Sequence, residues 1–155
     1  MSHSTGTVSD LDPLRKVTIF AGLDDAALRR LLTNAVRREV GAGEVIVREG
    51  ESGNQFYLLL SGGARVVKAF GTDREFELAR VHAGDFFGEM CLLEKLPRVA
   101  TVQTTTAAVL LRLSAMAFLD LYDSRPEQHG ILILNLARDL SRRLRRLDEA
   151  FASRH

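Results

Sequence analysis

The stretch GDFFGEMCLLEKLPRVATV, residues 84–102, combines residue types that together can hold a phosphorylated sugar. Gly88 allows the main chain to approach a ligand closely, and residues 89–93 can form a helical turn whose first amides face an anion. Glu89 offers two carboxylate oxygens that can accept a hydrogen bond from a ribose hydroxyl. Arg98 carries a rigid fork of donors that matches the geometry of a phosphate. The stretch therefore predicts a binding site for a sugar phosphate.

Two patterns in the chain resemble those of one known family. The pattern FGExCLL at residues 87–93, followed by PRxATV at residues 97–102, resembles the phosphate-binding cassette of cyclic nucleotide-binding domains. This family includes catabolite-activator-type regulators, subunits of cyclic-nucleotide-dependent kinases and cyclic-nucleotide-gated channels. The glycine-punctuated residues 41–62 resemble the β-roll of the same family, so the similarity covers most of the chain. One position departs from the pattern, because Val99 stands where family members often carry Ala, Ser or Thr.

The resemblance implies a role for each residue of the cassette. The phosphate would be bound by Gly88, Cys91, Arg98 and Val99, and the ribose by Glu89. Main-chain amides of this loop would be the phosphate donors, so a valine at position 99 need not prevent binding. Val99 lacks the hydroxyl that cGMP-preferring relatives use, and we therefore expect cAMP to be favoured over cGMP.

Three further residues are candidates for contacting the purine. Ala79 and Val81 alternate on a strand that leads to Gly84 and could line an apolar slot, although any half-buried strand would show this pattern. By the family's architecture, a residue near the middle of the C-terminal helix closes over the base. Arg142 or Arg143 lies near that point, and of the two we choose Arg143, whose guanidinium could stack on the purine as a lid.

The composition limits the class of protein. A chain of 155 residues is the size of one domain, and its single cysteine cannot form an internal disulfide. The N-terminal ten residues lack the apolar stretch of a signal peptide, and no apolar run approaches the roughly 20 residues of a membrane span. We therefore expect a cytoplasmic protein with no membrane segment. With 21 basic and 20 acidic residues, we expect no general attraction to nucleic acid.

Hydrophobic periodicity predicts an α+β fold that is mostly β. Residues 1–10 are expected to be a disordered leader, followed by one domain at 11–155 with N-terminal helices at 11–35, a β-roll at 36–113 and helices at 114–155. The β-roll is expected to be an antiparallel jelly-roll barrel. Its predicted strands are 44–47, 56–60, 64–70, 76–81, 100–104 and 107–113.

The last predicted helix, from residue 127 to about 150, has apolar residues at alternating steps of four and three. These residues are Ile133, Ala137, Leu140, Leu144, Leu147 and Phe151. Such a heptad spacing predicts a two-stranded coiled-coil contact, and hence a homodimer formed through this helix. The arginines beside this seam are most simply a solvated flank.

The chain carries no pattern that favours catalysis or a metal site. Its four histidines are scattered, and the single cysteine gives them no metal-ligand spacing. It also lacks the motifs of activated nucleophiles, so we expect no enzyme and no metal. We therefore interpret the chain as a cyclic nucleotide sensor that signals to an unidentified downstream protein by moving its C-terminal helix. Two alternatives are a β-roll that senses another small ligand, and a scaffold with a vestigial pocket that binds a protein or nucleic acid.

Overall fold

The structure, a computed structural model, describes residues 4–7, 10–89 and 96–153, without the side chains of residues 4–7. Its elements in chain order are β1 (Ser4–Thr7), α1 (Asp12–Arg15), a 3₁₀ helix (Thr18–Phe20), α2 (Asp25–Leu31), β2 (Val36–Val40), β3 (Val45–Val47), β4 (Gln55–Ser61), β5 (Ala64–Lys68), β6 (Phe76–Val81), β7 (Phe86–Phe87), β8 (Thr101–Thr104), β9 (Ala108–Ser114), α3 (Ala115–Ser124) and α4 (Pro126–Ala152). The predicted α+β roll with a long C-terminal helix is confirmed.

The strands form two antiparallel sheets. The first has the order β1-β2-β9-β4-β7 and the second the order β3-β8-β5-β6. Part of the expected disordered leader differs from the prediction, because residues 4–7 form β1 and pair with β2 from Ser4↔Glu39 to Thr7↔Val36. Without β1, β2 would be an edge strand whose main-chain groups are open to pairing, and that pairing does not depend on side chains.

Alternation along the first sheet explains how three layers pack. Phe56 and Leu58 of β4 lie in a core shared with the helices, whereas Tyr57 and Leu59 lie in a core shared with the second sheet. Phe86 and Phe87 of β7 divide between the same two cores. Successive side chains of a strand point to opposite faces, so β4 and β7 each contribute to both cores. These two strands are therefore buried on both faces.

The first part of α4 is anchored to the N-terminal helices. Leu132 and Leu136 are each 1% exposed in the helical core. The Asn135 side-chain amide donates to the carbonyls of Ile19 and Ala21, at 2.9 and 2.8 Å. These contacts fix α4 over the first sheet as far as about residue 140.

Beyond this point the predicted heptad seam divides. Ile133 and Leu140 pack against the helical core of their own chain. Leu144, Leu147 and Phe151 are 60, 60 and 68% exposed. The part of the seam that is open to a partner helix is therefore the C-terminal part, residues 144–151.

Within the described residues, no helix is long and apolar enough to cross a membrane.

Candidate functional site

Arg98 lies in the loop between β7 and β8 and reaches back to β4. Its Nη1 donates to the Gly88 carbonyl at 2.9 Å, and its Nη2 donates to the Gln55 carbonyl at 2.6 Å. A guanidinium has five N–H donors, so these two bonds can orient the group while other donors meet an anion. The main chain of β4 and of the turn after β7 thus fixes the cation of the candidate site.

Two glycines make room for this guanidinium. A Cβ atom built on Gly53 would lie 2.5 Å from Arg98 Nη2, and one built on Gly88 would lie 2.8 Å from Arg98 Nη1. Gly88 also has a φ of 76°, in the left-handed region that favours glycine. Both positions therefore need a residue without a side chain, Gly88 for two reasons and Gly53 for close approach alone.

Glu89 is buried, with 6% of its surface exposed, and it forms an ion pair with α4. Its Oε1 accepts a hydrogen bond from Arg143 Nη1 at 3.1 Å. Arg143 Nη2 donates to the Phe86 carbonyl at 2.9 Å, and the guanidinium lies 4.6 Å from the centre of the Phe86 ring. A second acid of the same helix, Asp139, places its Oδ2 2.8 Å from Arg143 Nε, without hydrogen-bond geometry. The Arg143 guanidinium therefore forms ion pairs with two carboxylates, those of Glu89 and Asp139.

The environment of Glu89 shifts its acidity. Burial disfavours the charged carboxylate and raises the pKa of Glu89, and the nearby Asp139 raises it further. Arg143 and Arg98 act in the opposite direction but do not cancel the effect of burial. A further donor, such as a hydroxyl, that hydrogen-bonds to the carboxylate would therefore stabilise its charged form.

A cavity of about 150 Å³ lies between these groups. Its lining includes the charged Glu89, Arg98 and Arg143. The rest is largely apolar and includes Val47 of β3, Val66 of β5, Val102 of β8 and the exposed Val99. A cavity with convergent charged donors and acceptors beside apolar side chains suits a small ligand that has both an anionic and an apolar part.

The structure brings together most of the residues that the sequence suggested. Gly88, Glu89, Arg98, Val99 and Arg143 all line the cavity. Cys91, and the helical turn predicted at 89–93 apart from Glu89 itself, lie outside the described residues. The binding roles of these residues stay predictions.

The two purine-slot candidates do not lie at the cavity. Val81 is buried in the core between the two sheets, and Ala79 is exposed on β6. Ala79 pairs with Val66, so the strand next to β6 supplies the lining residue instead. Val81 therefore packs in the core, and a purine-binding role for Ala79 and Val81 stays a prediction.

Other residues of the site had no distinctive signal in the sequence. Gly53 acts only by lacking a side chain, and Gln55 and Phe86 contribute main-chain carbonyls. Asp139 could have been suspected from its spacing of four residues before Arg143 on a helix, which brings the two side chains together.

The fold and the cavity together define a β-roll domain with a cavity lined by charged and apolar side chains. A family model described as the cyclic nucleotide-binding domain matches residues 37–125, more than half of the chain. The chain belongs to the cyclic nucleotide-binding domain family, as the cassette pattern predicted.

Curated relatives support this assignment. The chain is 40% identical over 111 residues to a cyclic nucleotide-gated potassium channel of Rhizobium etli, and 32% identical over 108 residues to a cAMP-dependent protein kinase type II regulatory subunit of Drosophila melanogaster. These alignments cover 72% and 70% of this chain, but 30% and 27% of those proteins. The chain therefore spans less than a third of the length of these relatives.

Solved structures show the same fold. The regulatory domain of Toxoplasma gondii PKA, crystallised with cAMP, matches with a TM-score of 0.62 and 30% identity over 70% of this chain and 41% of that one. A cyclic nucleotide-binding domain from Methylobacillus flagellatus matches with a TM-score of 0.79 at 22% identity, covering 94% of this chain and 82% of that one. The second likeness concerns the fold alone.

Proposed function

We propose that this chain binds cAMP in the cavity beside Arg98 and signals through α4 as a regulatory domain. The observation that carries the proposal is that Arg98 and Glu89, nine residues apart in sequence, line one cavity. A cyclic phosphate would meet the guanidinium of Arg98, and a ribose 2′-hydroxyl would donate to Glu89. The relatives named above include a kinase subunit and a channel whose names refer to cyclic nucleotides.

The preference for cAMP over cGMP rests on Val99. Its side chain lines the cavity and is 53% exposed, and it has no hydroxyl to offer a guanine. A Val99→Thr variant supplies that hydroxyl at nearly the same volume. We expect it to strengthen cGMP binding about fivefold, since one added hydrogen bond contributes about 1 kcal/mol, while cAMP binding changes little. Calorimetry with both nucleotides measures the ratio, and an unchanged ratio would count against a role for this position.

The proposed signal leaves the site through Arg143. This residue and the ribose would bind the same buried carboxylate, so a ligand on Glu89 changes how firmly the C-terminal part of α4 is held. A ligand shifts an equilibrium only if it binds one state better than the other, and a shared carboxylate supplies such a difference. The downstream partner would then recognise the position of residues 141–152. The same proposal treats the domain as regulatory and without catalytic activity.

Titration calorimetry of the purified chain with cAMP and cGMP tests the binding site. We expect cAMP binding in the wild type and a loss of at least tenfold in affinity for Arg98→Ala, because a charge-assisted bond to phosphate is removed. Arg37→Ala is the matched control, since Arg37 pairs with Glu39 on β2 and does not line the cavity. Equal affinities of the wild type and Arg98→Ala would contradict the proposal.

Hydrogen exchange tests the output. We expect amides in residues 141–152 to change their protection when cAMP binds, whereas the anchored residues near Leu132 stay protected. In Arg143→Ala, α4 should exchange similarly with and without ligand, because its contact with Glu89 is gone. A ligand-dependent change that persists in Arg143→Ala would remove this residue from the signal.

A further inference from the structure

A lysine outside the cassette contacts the loop that carries Arg98. Lys68, the last residue of β5, donates from Nζ to the Val99 carbonyl at 2.7 Å. The same ammonium lies 3.2 Å from Glu49 Oε2, after β3. Lys68 therefore connects three separate segments, and one of them is the loop between residues 96 and 100.

Glu49 holds the lysine in this position. Its Oε1 accepts a hydrogen bond from the Ala69 amide at 3.0 Å, and its own amide donates to Thr101 Oγ1 at 3.1 Å. The Ala69 hydrogen bond and then Lys68 lower the pKa of Glu49, so the carboxylate stays charged beside the ammonium. The backbone directly after Lys68 is thereby tied to the same acid that binds its side chain.

The peptide groups on both sides of Val99 are fixed. The Arg98 carbonyl accepts a hydrogen bond from the Gly50 amide, and the Arg98 amide donates to the Glu51 carbonyl, each at 2.8 Å. In a trans peptide the carbonyl and the next N–H point in opposite directions, so the Val99 N–H faces away from Gly50. Lys68 then holds the following carbonyl, that of Val99 itself.

We propose that Lys68 is a positioning residue for the cyclic phosphate. It orients the main chain at Val99, whose amide is a proposed phosphate donor, and it adds a positive charge to the loop that carries Arg98. This inference rests on the proposed binding of a cyclic nucleotide. Lys68 acts through Val99 and through its charge, and it need not touch the ligand, so the effect is confined to ligands that carry the phosphate.

The test compares cAMP with adenosine, which lacks the phosphate. Affinities are measured by displacement of a fluorescent cAMP analogue from the wild type, Lys68→Met, Lys68→Arg and Lys16→Met. Lys16→Met is the matched control, because Lys16 is exposed after α1 and outside the cavity lining. We expect Lys68→Met to weaken cAMP about five- to tenfold, the size of one ordinary hydrogen bond, because the lysine acts indirectly, and to leave adenosine within about twofold. Lys68→Arg should restore most of the cAMP affinity, and Lys16→Met should bind both ligands as the wild type does.

Four outcomes would overturn the inference. Unchanged cAMP affinity in Lys68→Met removes the lysine from the site while leaving the proposed function intact. Equal losses for cAMP and adenosine assign Lys68 to folding alone, and so does a failure of Lys68→Arg to restore binding. Absence of cAMP binding by the wild type itself overturns the proposed function, and this inference falls with it.

Discussion

The Arg98 guanidinium fits in its position because Gly53 and Gly88 beside it have no Cβ atom. A Cβ at Gly53 would lie 2.5 Å from Nη2 and 2.9 Å from both Cζ and Nε of Arg98. Gly53→Ala should therefore displace the guanidinium from the Gln55 and Gly88 carbonyls. We expect cAMP affinity to fall about tenfold, since one or two hydrogen bonds that orient the cation are weakened.

The matched control for this change is Gly130→Ala in α4. A Cβ at Gly130 meets nothing within 4 Å, and alanine favours a helix over glycine by about 1 kcal/mol. We expect unchanged cAMP affinity and a slightly higher Tm for the control, measured by calorimetry and thermal unfolding. Wild-type affinity in Gly53→Ala would show that the position of Arg98 tolerates the added methyl group.

Glu89 gives the site a dependence on pH. Its raised pKa means that the folded, ligand-free protein takes up a proton at higher pH than the unfolded chain does. Burying the charged form therefore costs stability as the pH rises from the unfolded pKa through the folded one. The proposed ligand binding would need the charged form, since only the carboxylate accepts a hydrogen bond on both oxygens.

We therefore expect cAMP affinity to fall on acidification, beginning above the pH at which an ordinary glutamate titrates. The groups facing this carboxylate are Arg143 and Asp139 from α4, and Arg98 from the loop before β8. In Glu89→Gln the affinity should be lower and this step in its pH profile should be absent. A step of the same size in Glu89→Gln would assign the titration to another group.

Among the site residues, those that act through a distinctive side chain could be predicted from the sequence, whereas those that act through main-chain carbonyls could not. Glu89 and Arg98 could be chosen because a carboxylate and a guanidinium have distinctive donors and acceptors. The carbonyls of Gln55 and Phe86 could not be chosen, because every residue has one. The pattern on β6 did not reveal that Ala79 is exposed and outside the cavity lining, because alternation alone does not tell a ligand-facing residue from one that faces solvent.

Among the elements, α4 is held at its start by an ion pair with the cap of α2. Asp24 accepts a hydrogen bond from the Ala27 amide at 2.9 Å, and Arg125 donates to its two oxygens at 2.7 and 2.6 Å. The Gln128 side chain accepts from the Asp24 amide at 2.9 Å. The acid thus joins α2 to the first turn of α4.

Two substitutions of Asp24 separate these roles. Asp24→Asn keeps an oxygen for the cap but loses the ion pair, whereas Asp24→Ala loses both. We expect Asp24→Ala to lower Tm by about 2–4 °C more than Asp24→Asn, the usual effect of a lost cap. Arg125 lowers the pKa of Asp24, so the ion-pair contribution is present above the unfolded pKa and is lost as the pH falls through the folded one. Equal Tm values for both variants would leave the cap without a measurable role.

Two strands, β2 and β7, were not predicted from the sequence because neither shows a clear hydrophobic alternation. In β2, Val36–Val40, three of the five residues are charged and the exposed positions alternate with half-buried ones, so hydrophobicity is low. In β7, Phe86 and Phe87 face two different cores, so no alternation appears in a strand of two residues. Strands such as β4 and β9 were found because their apolar runs are long and end at glycine or polar residues.

For the whole molecule, the first sheet lies between the helices and the second sheet. Leu58 and Leu111 lie in the helical core, and Leu59 and Leu110, next to them in β4 and β9, lie in the core between the sheets. In the proposed signal, a shift of α4 would press on the same strands that form one wall of the roll. The direct link through Arg143 and this packed layer would then act together between the cavity and the C-terminal helix.

The assembly of two chains is tested on the exposed part of the α4 seam. Leu144 and Leu147 are each 60% exposed, at heptad positions that a second helix would cover. We expect the wild type to be a dimer by light scattering, and Leu144→Glu combined with Leu147→Glu to be a monomer, because two buried carboxylates per helix would oppose pairing. Leu119→Glu on α3 is the matched control, since Leu119 is 51% exposed and outside the seam, and it should stay dimeric. A monomeric wild type would contradict helix pairing without affecting the cavity, because Arg98 and Glu89 belong to the same chain.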